Sequence, residues 1–342
     1  MPETAVQVRD LIVRFVSRER TLFAVNGVSF DLSRGEVLGI LGESGSGKSV
    51  TLKAMMRLLP STAHIGGTIA INGNDVATMS ESGLERLRGR HVSMIFQEPM
   101  TAFDPIFTIG KQISETIVRH DGCSWREASK RALDMLERVQ IPSARQRLGN
   151  YPHEMSGGMR QRAMIALALS CRPAVLLADE PTTALDVTVQ MQILLLLREL
   201  QRELGMAVIF VTHDIGVALE VSDRLAVMYA GRFVETGTAT DVVRRTSHPY
   251  TRGLLSSTLK GGESGQRLAA IAGSPPTLAT KPTRCSFAPR CTERLPACAS
   301  VDPPTVDNGR GHLVRCHRAT SAEGLTTDGA HGLIETGALS AH

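Results

Sequence analysis

The sequence has 342 residues, of which 42% are hydrophobic and 21% charged, and its 38 basic and 34 acidic side chains give a net charge of +4. This composition is typical of a globular protein with one large domain or two ordinary ones, and it supplies enough apolar residues for a core. The small positive excess does not predict binding to nucleic acid or to anionic lipid.

Apolar runs in the chain are too short to cross a bilayer. The longest are residues 163–169 and 193–197, whereas a membrane-spanning helix needs ~20. The first ten residues, MPETAVQVRD, do not show the charged and then apolar pattern of a signal peptide. We therefore expect the protein to stay in the cytoplasm, so that any role at a membrane requires a partner.

The N-terminal part of the chain predicts strands followed by an α/β unit. Residues 6–40 contain runs rich in β-branched and aromatic residues, which are typical of strands. The glycine-rich stretch 42–47 comes next, and residues 49–59 have the apolar spacing of a helix that ends before Pro60. This order is half of a parallel α/β unit. Residues 66–80 predict a hairpin with an Asn-Gly turn.

The middle of the chain alternates predicted helices and buried strands. Residues 92–97 predict a strand, and residues 110–140 and 156–171 carry helical patterns. The runs 174–180 and 207–214 are apolar and close with polar residues. Buried parallel strands have this pattern when their C-terminal ends lead into a site.

The remaining elements complete the sheet and lead into a different composition. Residues 187–204 predict the helix that connects the two buried strands, and residues 224–237 predict a final hairpin. Composition changes after about residue 250, because residues 261–310 are rich in Gly, Pro, Ser and Thr. The last ~22 residues contain few large apolar side chains, and we expect them to be disordered.

One glycine-rich loop predicts the nucleotide site. Residues 42–49 read GESGSGKS and satisfy G-x-x-x-x-G-K-[ST] between a predicted strand and a helix, where a plain glycine turn rarely has this sequence. The glycines let backbone N–H groups surround phosphate oxygens, while Lys48 reaches the β- and γ-phosphates and Ser49 places its hydroxyl on Mg²⁺. The predicted MgATP site consists of Gly42, Glu43, Ser44, Gly45, Ser46, Gly47, Lys48, Ser49 and Val50.

Polar residues at the ends of the later strands predict the rest of this site. Asp179 ends a buried strand, where it would hold the Mg²⁺ shell. Glu180 follows and is placed to orient or deprotonate the attacking water, an effect worth roughly 10²–10⁴ in rate. Gln97 and His213 end two further strands, where Gln97 would contact Mg²⁺ or water and His213 the γ-phosphate. The alternatives are a solvated Asp-Glu pair and a packed or capping histidine.

A second motif identifies a family. Residues 155–162, MSGGMRQR, resemble the LSGGQ signature loop of ATP-binding cassette (ABC) ATPases, with Met155 in place of Leu and Met159 in place of Gln. The order of the motifs over residues 6–250 is similar too, with Ala184-Leu-Asp186 at the position of the D-loop. The resemblance implies a P-loop NTPase fold of the α/β class, with a RecA-like core, an antiparallel β subdomain and a helical subdomain. Because Glu180 and His213 are both present, it also implies an active ATPase.

The signature loop predicts a dimer. Ser156, Gly157 and Gly158 precede a predicted helix and would form a second anion-binding helix N-terminus. One chain is not expected to fold both anion sites onto a single nucleotide. The resemblance implies that the signature, together with Asp186, completes the ATP site of a partner, and that binding closes the dimer while hydrolysis opens it.

The resemblance further implies that an aromatic side chain stacks on adenine. Phe15 is the candidate, Phe23 is the alternative, and a role in the core remains open for both.

Three stretches resemble the ATPases of oligopeptide and dipeptide importers. They are residues 96–110 (FQEPMTAFDPIFTIG), residues 248–251 (HPYT), and residues 271–276 (IAGSPP) with the cysteine region that follows. Phe103 and Asp104 depart from the Leu and Asn of that group. The resemblance implies an ATP-hydrolysing subunit that energises uptake of di- and oligopeptides. Nickel, glutathione or another small solute is the alternative cargo.

Partners and location follow from the same resemblance. It implies a second ABC ATPase in a heterodimer, two membrane permeases and an extracytoplasmic solute-binding protein, but no nucleic acid. The chain would lie on the cytoplasmic face of the inner membrane, held by the permeases, with a permease helix in a groove near Gln97–Gly110. The implied domains are a core with an antiparallel β subdomain (1–97 and 166–250), a helical subdomain (98–165), an extension with a cysteine cluster (251–320) and a tail (321–342).

Four of the six cysteines crowd together near the C-terminus in the spacing C-x5-C-x6-C-x17-C. In a reducing cytosol, this clustering favours metal binding over disulfides, although the C-x2-C of common zinc ribbons is missing. The importer resemblance implies a structural [4Fe–4S] cluster, with zinc or free thiols as alternatives. Cys123 and Cys171 are expected to be plain packing residues. The cluster ligands would be Cys285, Cys291, Cys298 and Cys316.

Other classes of ABC protein fit the sequence less well. ABC ATPases of translation or DNA repair usually carry two cassettes or a long coiled coil, and this chain shows neither. A non-hydrolysing regulator would be expected to lack Glu180 or His213. The cysteine-rich region and the HPYT stretch argue against the ATPase of an exporter.

Overall fold

The computed structural model describes residues 3–182, 185–259 and 271–319. The predicted disordered tail and Ala184 of the predicted D-loop lie outside these residues. Within them, no helix has both the length and the hydropathy needed to cross a membrane. The strands are β1 (Thr4–Val16), β2 (Thr21–Ser33), β3 (Val37–Leu41), β4 (Ala63–Ile71), β5 (Asn74–Asp75), β6 (Val92–Ile95), β7 (Val175–Asp179), β8 (Ala207–Thr212), β9 (Arg224–Tyr229), β10 (Arg232–Thr238), β11 (Thr305–Asp307) and β12 (Leu313–Arg315).

The α-helices connect and cover these strands, and short 3₁₀ turns lie at Pro99–Thr101, Pro152–Glu154 and Pro296–Ala299. The helix after the glycine loop ends four residues earlier than its apolar spacing predicts. The helices are α1 (Lys48–Met55), α2 (Glu81–Leu87), α3 (Ile109–Asp121), α4 (Trp125–Arg138), α5 (Ala144–Arg147), α6 (Gly157–Leu169), α7 (Val187–Leu204), α8 (Ile215–Val221), α9 (Ala239–Arg244) and α10 (Pro249–Leu259).

An eight-stranded sheet in the order β11-β12-β10-β9-β3-β8-β7-β6 forms the centre of the fold. Five successive strands of this sheet are parallel, from β9 through β3, β8 and β7 to β6 at the edge. Alternate residues of β7 face two different cores: Leu176 packs with the helices α3, α4, α6 and α7, and Leu177 packs with α1 and the first strands. Because both faces are covered, these strands are continuously apolar, as their sequences predict.

The second sheet is antiparallel, in the order β2-β1-β4-β5, and packs on the face that carries α1. Its tight turn is the predicted Asn-Gly pair, because Asn72 and Gly73 both have positive φ (47° and 76°). A two-residue turn with positive φ at both central residues matches the right-handed twist of the flanking strands. The predicted hairpin is therefore present, with a longer first strand and a very short second one.

Residues 271–319, here called the C-terminal segment, extend the central sheet. The predicted hairpin of β9 and β10 is present but is not the last, because β12 pairs antiparallel with β10 and β11 pairs with β12. Below this edge the buried Glu235 accepts hydrogen bonds from Ser247 N (2.7 Å) and His248 N (3.1 Å), and His312 Nε2 lies 2.9 Å from its carboxylate. A buried carboxylate that is satisfied in this way fixes the segment to the core.

Candidate nucleotide-binding site

The glycine loop lies between β3 and α1, as the sequence predicts, and it is pressed against neighbouring strands. A side chain at Gly42 (φ 156°) would place its Cβ 2.3 Å from Met228 O, and one at Gly47 (φ 108°) would place its Cβ 2.5 Å from Ala24 O. Neither approach tolerates a Cβ. Packing against β9 and β2 therefore explains why these two positions are glycine.

The first turn of α1 has the features of an anion site. Its N-cap, Gly47, provides no side-chain hydrogen bond, and the first turn contains no acidic residue. By contrast, Ser124 Oγ caps α4 and Thr108 Oγ1 caps α3 by accepting from backbone N–H groups. The first N–H groups of a helix point outward with a partial positive charge, so they suit a phosphate where no side chain occupies them.

Lys48 lies over the glycine loop. Its Nζ donates to the backbone oxygens of Gly42 (2.7 Å) and Glu43 (2.9 Å), and the residue is 4% exposed. Burial lowers the pKa of Lys48, against the opposing pull of the Glu180, Asp179 and Glu43 carboxylates. An ammonium that is removed from water and held by backbone oxygens of the glycine loop suits phosphate oxygens as further partners.

Ser49 and Asp179 form the pair that fits a magnesium ion. Ser49 Oγ donates a 2.7 Å hydrogen bond to Asp179 Oδ1, joining the start of α1 to the end of β7. Burial raises the pKa of Asp179, and only the Ser49 hydrogen bond and nearby Lys53 and Lys48 oppose it. A hydroxyl and a desolvated carboxylate are hard oxygen ligands, so these two residues match the chemistry of bound Mg²⁺.

Three predicted residues meet at the ends of adjacent strands. Gln97 Nε2 donates a 3.2 Å hydrogen bond to Glu180 Oε2, and His213 Nδ1 lies 3.4 Å from the same oxygen. The backbone of Glu180 has a left-handed conformation (φ 46°), and its N–H donates to Val211 O at 3.0 Å. The parallel order β6-β7-β8 brings these side chains together, because the C-terminal ends of all three strands lie at one edge.

The signature residues lie elsewhere. Ser156 is the N-cap of α6, where its Oγ accepts from Met159 N (3.3 Å), and both Ser156 and Gly157 are exposed. Across the described parts of the chain, no hydrogen bond joins residues 156–159 to the loop at 42–49. Gly158 instead faces α7, where a Cβ would lie 3.1 Å from Val189 Cγ1.

The other residues predicted to contact nucleotide lie in three different environments. Phe15 is half-buried and packs against the same core as Val50. The alternative, Phe23, has its backbone N–H bonded to Leu278 O (2.8 Å) of the C-terminal segment. Asp186 caps α7, accepting from Val189 N at 2.9 Å.

The cysteine expectation is not supported by the side-chain positions. No three His, Cys, Asp or Glu side chains in residues 3–182, 185–259 and 271–319 are grouped so that they could hold a metal ion. Burial raises the pKa of Cys285 to about 11 and also raises the pKa values of Cys291 and Cys316, with the nearby Cys298 adding to each shift. Desolvation therefore favours neutral thiols, whereas metal binding needs thiolates. Cys123 is half-buried and Cys171 is buried. None of the six cysteines forms a disulfide: Cys123, Cys171, Cys285, Cys291, Cys298 and Cys316.

Two residues at the glycine loop are absent from the predicted site. Tyr250 Oη accepts a hydrogen bond from Glu43 N (3.0 Å), and Arg290 forms an ion pair with the Glu43 carboxylate at 2.6 Å. Tyr250 belongs to the HPYT stretch and Arg290 directly precedes Cys291. Their motifs mark both positions, but no local pattern shows that a tertiary contact brings them to the loop.

Known proteins resemble this chain in sequence and in fold. Residues 25–183 match the ABC transporter family, and residues 234–298 match the family described as the C-terminal region of oligopeptide/dipeptide transporters. The dipeptide transport ATP-binding protein DppD of Bacillus subtilis is 47% identical over 316 residues, which cover 92% of this chain and 94% of DppD. The chain belongs to the ABC transporter family. It is an ATPase of the ATP-binding cassette type.

Further relatives of this ABC ATPase extend the comparison. The oligopeptide transport ATP-binding protein OppD of Salmonella typhimurium is 46% identical over 313 residues, covering 92% of this chain and 93% of OppD. Among solved structures, the dimeric ATP-binding cassette MJ0796 bound to ADP and Pi has a TM-score of 0.62 at 29% identity and covers 68% of this chain. The chain covers 98% of that cassette. CbiO1 of Clostridium perfringens, part of the ABC transporter complex cbiONQ, has a TM-score of 0.61 at 29% identity. The match covers 71% of this chain and 91% of the CbiO1 chain.

Proposed function

We propose that this ABC ATPase energises the uptake of di- and oligopeptides by a membrane importer. The observation that carries the proposal is its 46–47% identity, across nearly the whole chain, to DppD and OppD, whose names specify dipeptide and oligopeptide transport. Nickel, glutathione or another small solute is the alternative cargo, and a non-transport ABC ATPase is a weaker alternative. The cargo would be selected by the permeases and the binding protein.

In the proposed reaction, water attacks the γ-phosphorus of ATP and the bond to the β,γ-bridging oxygen breaks, giving ADP and phosphate. Glu180 accepts the water proton, while Gln97 and His213 hold its carboxylate through the shared Oε2. Lys48 and the first turn of α1 bind the phosphates, and Phe15 stacks on adenine. Ser49, Asp179 and Gln97 would hold Mg²⁺, which supplies neutralising charge at the phosphates.

We also propose that two cassettes share each nucleotide. The exposed Ser156-Gly157 turn at the start of α6 would cover the γ-phosphate bound by a partner, with Gly158, Met159 and Asp186 beside it. Two observations support this arrangement: the turn is exposed, and no hydrogen bond joins residues 156–159 to the loop at 42–49 in the described residues. The partner would be a related second ATPase, so the dimer would be a heterodimer.

The surface that follows Gln97 suits a permease. Met100 and Ile106 are large apolar residues that are 43% and 69% exposed on the stretch between β6 and α3. A cytoplasmic helix from one of two permeases would bind there, which would place this ATPase on the cytoplasmic face of the membrane below an extracytoplasmic binding protein. The proposed domains are the core (1–97 and 166–250), the helical subdomain (98–165) and the extension (251–320).

For the four clustered cysteines we propose an iron–sulfur cluster, with zinc as the alternative. The support is the resemblance of their sequence region to that of the importer ATPases, since the side chains in the described residues are not grouped to hold a metal. Binding would require these thiols to deprotonate and to move closer together. Anaerobically purified wild-type protein is expected to be brown, and the Cys291→Ser variant is expected to be colourless. A colourless, zinc-containing or metal-free sample would contradict the cluster.

The transport proposal is tested in proteoliposomes that contain the two permeases, this chain and its partner ATPase. Peptide-loaded binding protein is expected to stimulate ATP hydrolysis and to drive peptide accumulation. Binding protein without cargo, and binding protein offered Ni²⁺ or glutathione, are the controls. Stimulation by one of these other solutes but not by peptide would contradict the proposed cargo.

A further inference from the structure

Glu43, the second residue of the glycine loop, is held at every polar group. Its carboxylate forms two hydrogen bonds with Arg290, from Nη1 to Oε2 (2.6 Å) and from Nη2 to Oε1 (2.9 Å). Its N–H donates to Tyr250 Oη (3.0 Å). Its carbonyl oxygen accepts from Lys48 Nζ (2.9 Å) and Ser46 N (3.2 Å). Two of these partners lie outside the nucleotide-binding core motif, in α10 and in the C-terminal segment.

Arg290 is itself fixed before it reaches the loop. Its side chain is 6% exposed, its Nε donates to Ala272 O (2.8 Å), and its Nη2 donates to Ile271 O (3.2 Å). The guanidinium also lies 5.7 Å from the centre of the Tyr229 ring. A planar guanidinium that pairs with both oxygens of a carboxylate fixes direction as well as distance. The ion pair therefore sets the position of Glu43 relative to the C-terminal segment.

Three packed aromatic rings support the second contact. Tyr250 is fully buried, and its ring centre lies 4.6 Å from that of Tyr229 and 5.4 Å from that of Phe287. The Tyr229 and Phe287 rings meet edge to face at 5.2 Å. Phe287 belongs to the C-terminal segment, so the segment builds one wall of the cluster that aims the Tyr250 hydroxyl at the loop. Such ring pairs add to packing beyond the area they bury.

We infer that the C-terminal segment positions the phosphate-binding loop, with Arg290 and Tyr250 acting through Glu43. Nucleotide affinity therefore depends on the Arg290–Glu43 ion pair, although neither side chain has to touch the nucleotide. The inference rests on the proposed function only in taking ATP as the ligand of the loop. It gives the segment a role in ATP binding that is separate from transport and from any metal at the cysteines.

The test is calorimetric binding of adenylyl imidodiphosphate with Mg²⁺ to the purified full chain. Arg290→Met and Glu43→Ala remove the same contact from its two sides, and each is expected to weaken binding by about tenfold. Because both act on one contact, the double variant is expected to bind no more weakly than the weaker single variant. Arg290→Lys keeps the charge without the two-point contact and is expected to recover part of the loss.

Asp302→Asn is the matched control. It breaks another ion pair between the segment and the core, Arg232–Asp302 (2.5 Å), which has no contact with the loop. This variant is expected to lower the melting temperature and to bind nucleotide as the wild type does. Wild-type affinity in Glu43→Ala, losses that multiply in the double variant, or equal weakening by Asp302→Asn would overturn the inference. A wild-type chain that bound no adenine nucleotide would instead overturn the proposed function.

Discussion

Gln97 Nε2 donates a 3.2 Å hydrogen bond to Oε2 of Glu180, the same oxygen that lies 3.4 Å from His213 Nδ1. Gln97 lies two residues after the end of β6 and begins the stretch that carries exposed Met100 and Ile106. A shift of that stretch would pull on the glutamate without any change in the glycine loop. The contact is therefore a direct physical link between the proposed permease surface and the group proposed to activate water.

Asp179→Asn is expected to separate stability from activity. Burial raises the pKa of Asp179, so the folded chain binds a proton more tightly than the unfolded one, and the free energy of unfolding falls as pH rises through the folded pKa. Removing the charge should raise the melting temperature at pH 7, without Mg²⁺, by about 2–4 °C. The difference should shrink as pH falls, because the raised pKa lets the wild-type Asp179 side chain take up a proton more readily in the folded chain than in the unfolded one.

The same variant should lose magnesium-dependent ATP hydrolysis, because Asp179, the charged member of the three proposed Mg²⁺ ligands, becomes neutral. Thermal denaturation from pH 4 to pH 8, followed by a phosphate-release assay, checks both parts. A lower melting temperature at pH 7, or hydrolysis at the wild-type rate, would contradict the account of Asp179.

Ser156→Ala separates a structural role from a role between subunits. Ser156 caps α6 as Ser124 caps α4, each accepting from the N–H three residues later at 3.3 and 3.2 Å. Loss of either cap should reduce the free energy of unfolding by about 1 kcal/mol. Only Ser156→Ala should abolish hydrolysis by the assembled dimer, while leaving ATP binding to its own glycine loop intact. Equal loss of hydrolysis in Ser124→Ala would show that the effect is merely one of stability.

His248 makes the fold sensitive to acid. Burial lowers its pKa to about 3, and its Nδ1 must be unprotonated because it accepts from Tyr250 N (3.0 Å). Between pH 6.5 and pH 3 the unfolded chain binds the proton instead, so stability present above pH 6.5 is lost as pH falls, by up to about 1.4 kcal/mol per pH unit. Urea unfolding of His248→Asn should show a shallower loss from pH 6.5 to pH 5 than the wild type. An unchanged slope would contradict this assignment.

Local patterns predicted most of the fold and much of the site. Continuous apolar runs identified β7 and β8, and their polar ends placed Asp179 and His213 at one edge because parallel strands end together. The Asn72-Gly73 turn could also be predicted from the sequence, because positive φ values at both positions favour asparagine and glycine. These features could be predicted because they depend on residues that are close together in the sequence or on the parallel arrangement of successive strands.

The parts that could not be predicted depend on distant contacts. Nothing near Arg290 or Tyr250 in the sequence points to Glu43, more than 200 residues away. The short strands β11 and β12 form only because the edge of β10 is available to pair with them. The cysteine spacing suggested a metal, but spacing does not fix side-chain distance, and the described cysteines are not grouped around one point.

The most direct test of hydrolysis at Glu180 is single-turnover ATP cleavage by Glu180→Gln in the assembled ATPase dimer. The amide keeps the shape of the side chain but cannot accept the water proton, so cleavage should slow by roughly 10²–10⁴ while MgATP stays bound and holds the dimer closed. Cleavage at the wild-type rate, with ATP bound equally well, would contradict the role of Glu180.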